Sequence, residues 1–370
     1  MKRVLAFFKG EPVLSIAALA AIATCIPVPP SAAYLDYIDF RTLALLYALM
    51  VSVAVLRKSG ALDMAARKLY ASAGGARSLA ALLTALCFFS SMVLTNDVAL
   101  LTFVPFAALV LRLSRAEDLL LPVVVLQTLA ANLGSMLTPV GNPQNLYLYS
   151  YYNMSAAEFF AATAPATIAS GVLLAALLLF VPKREIPVAY FAEQPKLEKK
   201  GFLLSLVLFA LSLATVFRLL PWEWMLAAVL VLLVVFDRKS LRDADFLLLL
   251  TFVCFFVFVG NLGQLTAVRT ALESVLVGRE LLVSAAVSQV ISNVPAAVLL
   301  SGFTENAKAL LLGVDIGGLG TPVASLASLI SLRLYAKEPG ASTGRFLLVF
   351  TVVNFLLLAI LLLFAELALV

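Results

Sequence analysis

Two polar clusters interrupt otherwise apolar sequence in this chain, and they hold side chains able to bind an ion. One runs from Ser90-Ser91 to Thr95-Asn96-Asp97, the other from Ser288-Gln289 to Ser292-Asn293. Ser, Thr, Asn and Asp are N-cap residues, and proline suits the first helical position. Thr95-Asn96-Asp97 and Ser292-Asn293-Val294-Pro295 therefore read as helix starts. The plainer reading is that they only cap two buried helices. Two helix N-termini facing each other at membrane depth would nevertheless form an anion-binding arrangement. Two further stretches, Leu133 to Pro143 and Ile316 to Pro322, are rich in Gly, Thr, Pro and Asn. These read as breaks inside helices, where unwound carbonyls can coordinate a cation. A proline kink is the alternative, but the residue before a proline resists the helical region, so Gly141-Asn142-Pro143 favours a true break.

Asp97 and Asp315 are the carboxylates set deepest in apolar sequence. A charge inside a membrane is costly, which makes each a functional candidate. Their structural alternatives are N-capping for Asp97 and an interfacial helix start for Asp315. Other chemistries find no support. The chain has no histidine, which removes the usual zinc sites and imidazole bases. Cys25, Cys87 and Cys254 are isolated in apolar runs and read as small buried hydrophobes. The run Gly317-Gly318-Leu319-Gly320 lacks the Lys-Ser/Thr and the βα unit of a phosphate loop. No nucleophile–base pair is evident, so an intramembrane enzyme is a remote reading.

The elements that must position these residues follow from composition. Of 370 residues, 63% are hydrophobic and 13% charged, against about 25% charged in a soluble domain. That excludes a water-soluble globule and a disordered chain, leaving an all-α polytopic membrane protein in the lipid bilayer. Apolar runs at 12–29, 41–56, 119–150, 156–182, 202–220, 222–236, 245–262, 309–332 and 346–369 predict nine crossings. Those at 79–111 and 281–303 carry the polar clusters at their centres, and each half is expected to be too short to cross alone. They predict re-entrant hairpins with tips near mid-membrane. With the N-terminus inside and the C-terminus outside, 21 basic residues fall inside, among them Lys2, Arg3, Lys9, Arg57, Arg77, Arg112, Lys183 and Arg242. Only Arg41, Arg218, Arg269, Arg279 and Lys308 fall outside. This is the asymmetry of the positive-inside rule, and it explains the net charge of +5 without nucleic acid. The N-terminal run also has a signal-peptide reading, which its length and the repeat below disfavour.

The chain repeats itself. Asn132 through Asn142 align with Asp315 through Ser325 at an offset of 183, and Asn96 aligns with Asn293 at an offset of 197. The expected organisation is a first repeat at 1–182 with its hairpin at 79–111 and broken helix at 119–150. A loop and linking helix at 183–220 would precede a second repeat at 221–370, with hairpin 281–303 and broken helix 309–332. One helix between the halves inverts the second, a pattern typical of secondary transporters.

On Leu94-Thr95-Asn96-Asp97-Val98-Ala99, Asn132 through Asn145, Ser288 through Pro295 and Gly313 through Ser331, the chain resembles the ion transporter superfamily. That group includes divalent anion:sodium symporters, citrate transporters, arsenite permeases and a branch of sodium/proton antiporters. In its dicarboxylate branch both tips look like Ser-Asn-Thr and hold substrate and sodium; here only the central Asn transfers, because Asp97 and Val294 depart from the pattern. The resemblance implies an elevator mechanism on a homodimeric scaffold. Clusters, breaks and resemblance together give candidate solute-binding residues Thr95, Asn96, Asp97, Thr138, Asn142, Ser292, Asn293, Thr321 and Ser325. Candidate coupling residues, for Na+ or H+, are Asn96, Asp97, Gly141, Asn293, Asp315 and Gly320; no other cofactor is expected. The leading expectation is a secondary transporter of a small anion, a carboxylate or inorganic oxyanion, in the cytoplasmic membrane. Cation/proton antiport and arsenite-type efflux are the alternatives. A channel fits less well, since the polar residues concentrate in two matched clusters.

Overall fold

The computed structural model describes residues 12–70, 74–187 and 196–370, and every regular element among them is helical. The chain forms α1 (Pro12–Thr24), the single turn α2 (Tyr34–Tyr37), α3 (Phe40–Lys58) and the amphipathic α4 (Ala61–Tyr70). A hairpin of α5 (Ala76–Leu94) and α6 (Asn96–Leu113) follows, joined by Thr95 alone. Then come α7 (Leu120–Ser135), α8 (Pro143–Tyr151), α9 (Ala156–Leu178) and α10 (Lys199–Val216). The later half holds α11 (Trp222–Phe236), α12 (Phe246–Gln264), the amphipathic α13 (Thr266–Leu276), a hairpin of α14 (Glu280–Ile291) and α15 (Asn293–Ser301), α16 (Ala307–Ile316), α17 (Leu326–Tyr335) and α18 (Thr343–Ala368). Among the described residues eight helices are long and apolar enough to cross a membrane, or nine if α13 and α14, bent by 113°, count as one span. The chain is an all-α polytopic membrane protein.

Local chemistry sets many of these starts. Asp39 and Asp245 cap α3 and α12, each accepting the backbone N–H three residues on. Asn142 caps α8 ahead of Pro143, and Ser155 with Glu158 forms a capping box on α9.

The helices differ from the sequence reading in four ways. The limbs of the first hairpin have 19 and 18 residues and are not too short to cross, because α5 begins ahead of the apolar run. What makes the pair a hairpin is its one-residue connection and the packing of α5 on α6. The runs at 12–29 and 222–236 yield helices of only 13 and 15 residues. The amphipathic α4 and α13, each just ahead of a hairpin, were not anticipated, since their mixed charge hides them from a hydropathy reading. Finally, α15 starts at Asn293, so Pro295 takes its third position and not its first. Lys2, Arg3, Lys9 and the start of the signal-peptide reading lie outside the described residues.

Contacts between loops group them into two sets. Lys58 pairs with Asp243, Arg112 with Glu338 and Arg184 with Asp118. Arg77 donates to Val181 O, and the Tyr70 hydroxyl lies 3.0 Å from that of Ser114. At the other end Tyr152 donates to Ser301 O and Thr304 O, Arg218 to Met154 O, and Thr304 to Glu280. Each hairpin therefore begins and ends among loops of one set. Inside the bundle, α17 packs on α6 and α7, while α8 packs on α15 and α16.

Candidate functional site

The two hairpin tips have the same backbone. Thr95 (φ 73°, ψ 148°) and Ser292 (φ 75°, ψ 155°) both adopt a left-handed extended conformation that favours glycine. Neither side chain caps its helix. The next residue does: Asn96 Oδ1 accepts the Asp97 N–H, and Asn293 Oδ1 accepts the Val294 N–H. The backbone N–H groups of Asn96 and Asn293 donate to Gly141 O (3.1 Å) and Ala324 O (2.9 Å). Those two carbonyls stand at the aligned positions of the two breaks.

The match continues along each hairpin. Thr138 Oγ1 donates to Met92 O and Thr321 Oγ1 to Gln289 O, again at aligned positions. Gly134 and Gly317 let the breaks lie directly on α5 and α14. A Cβ on Gly134 would fall 2.1 Å from Phe88 O, and one on Gly317 would fall 2.8 Å from Ala285 Cα. Gly320 is covered by Gln289, which donates to Gly317 O and Leu319 O.

Where the breaks cross, side chains connect them reciprocally. Asn132 Oδ1, near the end of α7, accepts from Asn96 Nδ2 (3.1 Å) and Ser325 Oγ (2.9 Å). Asp315 Oδ1, near the end of α16, accepts from Asn142 Nδ2 (3.4 Å) and Gln144 Nε2 (3.2 Å). Asn132 aligns with Asp315, and Asn142 with Ser325. The geometry thus brings Asn96, Gly141, Asn142, Asp315 and Ser325 into one neighbourhood. It places Thr138, Thr321 and Gly320 in the seams between hairpin and break. Asn293 meets the second break beside Gly318.

A cavity of about 860 Å³ reaches this neighbourhood. Thr95, Asp97 and Asn142 line it, with apolar walls from α3, α6 and α17. Arg57, Lys58, Arg67, Asp63, Asp243 and Asp245 also line it. Arg57, Lys58 and Asp243 belong to the loop set that holds Arg112 and Arg184, so the cavity opens toward that set. Asp97 Oδ1 is buried and has no hydrogen-bond partner. A carboxylate so placed fits a monovalent cation or a proton better than it fits an anion, because like charges repel strongly where water is scarce. No group of three or more Cys, Asp or Glu side chains among the described residues could hold a transition metal.

The sequence reading missed Asn132, Gln144, Asn145 and Gln289 as site residues. The signal was present: each is an amide inside an apolar run beside a cluster or break already singled out.

Comparison with known proteins adds an independent line. Residues 4–309 match the family described as Citrate transporter. The chain is 33% identical over 333 residues to an uncharacterized transporter of Methanocaldococcus jannaschii, spanning 89% of this chain and 90% of the relative. It is 32% identical over 303 residues, 80% of each chain, to the inner membrane protein YbiR of Escherichia coli. A shorter stretch of 140 residues is 31% identical to the human P protein, covering 37% of this chain and 16% of that one.

Proposed function

The chain belongs to the citrate transporter family and is a membrane transporter, and from that premise we propose that it is a secondary active transporter of a small anion, driven by Na+ or H+. One observation carries the reading: the cavity ends on Thr95, Asp97 and Asn142, where a hairpin tip meets a helix break. The anion is recognised there by hydroxyls, amides and the start of α6, and Asp97 is the coupling carboxylate. The carboxylate cannot attract an anion itself, so its use is to be neutralised as the solute moves. Its partnerless buried oxygen supports that role.

The matched bonds at the tips and breaks support reading the halves as an inverted repeat, with hairpins and broken helices moving as one body against α3, α10 and α12. That movement is the elevator, working in a homodimer in the cytoplasmic membrane with the basic loops inside. The family description and the name of the Methanocaldococcus jannaschii relative agree with transport and not with catalysis. Cation/proton exchange through Asp97 alone is the second reading, and the balanced charge lining the cavity favours it: three basic residues face four acidic ones.

Asp97→Asn in proteoliposomes isolates the coupling role, because asparagine keeps the size and removes the charge. We expect the variant to exchange solute downhill yet to accumulate none against a gradient, whichever ion is supplied. Concentrative uptake with unchanged ion dependence would remove Asp97 from the coupling. Ion flux without any anion uptake in the wild-type protein would select the exchange reading.

A further inference from the structure

We propose that a monovalent cation binds where the two helix breaks cross, held by the Asp315 carboxylate and the side-chain oxygen of Asn145. The proposal deepens the transport reading by adding a cation site apart from the tip that carries Asp97, and it rests on that reading only for its purpose.

The first observation is an imbalance of acceptors. Asp315 is 2% exposed and Asn145 fully buried. Asp315 Oδ1 takes two amide donors, from Asn142 and Gln144, but Oδ2 takes none. Asn145 follows Gln144, which donates to that carboxyl, and its own Oδ1 is also without a partner. The orientation of this amide is fixed, because its Nδ2 already donates to Ser135 O (3.3 Å), Met136 O (3.2 Å) and Thr138 O (3.2 Å). Exchanging O and N would set an oxygen against three carbonyls. Buried oxygens left without donors at this crossing are costly unless something positive sits at them.

The second observation is the contrast with the other repeat. Asn132, at the aligned position, has both ends of its side chain engaged: Oδ1 accepts from Asn96 and Ser325, and Nδ2 donates to Ser328 Oγ (3.4 Å). The same surroundings are thus closed by an amide in one half and left one positive charge short by a carboxylate in the other. None of the four ion pairs among the described residues reaches Asp315. Asp315 also lies in the last turn of α16, where the helix dipole favours a cation. A single carboxylate is neutralised by a single charge, so a monovalent ion leaves the buried site uncharged while a divalent one does not. Hard oxygen ligands suit an alkali cation.

The test is binding, read without transport. Purified protein is melted in detergent at fixed pH, titrating NaCl against choline chloride at constant ionic strength. Wild type should melt higher in sodium, saturably. Asp315→Asn, which copies the side chain of the aligned Asn132, should lose more than half of that shift. Its melting temperature in choline alone should equal or exceed that of wild type, since a buried uncompensated charge is gone. Asp63→Asn, an exposed carboxylate at the cavity, should keep the full shift. Asp315→Ser replaces the first variant if that one does not fold. A wild type with no sodium-specific shift, or a variant at 315 that keeps half of it or more, overturns the site. Protein that shows the sodium shift but no anion uptake in vesicles would sink the anion-transport reading and leave this one standing.

Discussion

Asn96 illustrates how much one tip residue is asked to do. Its Oδ1 caps α6, its Nδ2 reaches Asn132 and its N–H reaches Gly141. Asn293 shares the first role and meets Ala324 in the same way. Alanine at either place removes a cap worth ~1 kcal/mol, and at 96 it also strands Asn132 Oδ1 with one donor fewer. We expect Asn96→Ala and Asn293→Ala to abolish uptake, with Asn96→Ala the less stable by about 1–2 kcal/mol in thermal melts. Normal uptake by either variant would remove that tip from the site. Both residues were legible in the sequence, since a polar cluster at the centre of an apolar run has few reasons to exist. Asn132 and Asn145 were not, although the same motif contains them. An amide within apolar sequence declares only that it needs partners; which partner it meets, across the bundle, depends on how the two breaks cross.

At the level of elements the glycines at the seams are the informative positions. Gly134 and Gly317 occupy aligned places, and each lets a break touch the first limb of its hairpin. A methyl group there meets backbone atoms, which cannot rotate away. We expect Gly134→Ala and Gly317→Ala each to destabilise the protein by about 1–3 kcal/mol through overpacking. Gly344, at the exposed start of α18, has open space around its Cβ position and serves as the control: Gly344→Ala should melt within a degree or two of wild type. Equal melting of all three variants would mean that hairpin and break are not pressed together. Sequence alone located both hairpins and both breaks, because each breaks the hydropathy pattern and recurs at a fixed offset. It misjudged the limbs of the first hairpin, since α5 continues through Arg77 and Ser78, where the apolar signal has already faded. The amphipathic α4 and α13 were hidden for a related reason: their charge reads as loop.

For the whole molecule, the loop contacts define two faces and the basic residues crowd onto one of them. The positive-inside rule predicts that this face is the cytoplasmic one. In a background with Cys25, Cys87 and Cys254 replaced by Ala, single cysteines at Gly74 and Arg115 should both label only from the cytoplasmic side. Cysteines at Gly278 and Glu305 should both label only from outside. Labelling of one pair from opposite sides would undo the hairpin that joins its members. The short helix α11 carries a different consequence for the molecule as a whole. Its 15 residues lie between Pro221 and Asp237, and a helix of that size is about 22 Å long. Trp224, Val231, Val235 and Phe236 leave it strongly exposed on its outer side. A hydrocarbon layer about 30 Å thick does not fit such a flank. Where lipid surrounds that flank, it has to thin, or the helix has to draw its polar ends inward. Hydrophobic mismatch thus becomes a variable of its own, and the acyl-chain length of the host membrane sets how much elastic strain gathers beside α11.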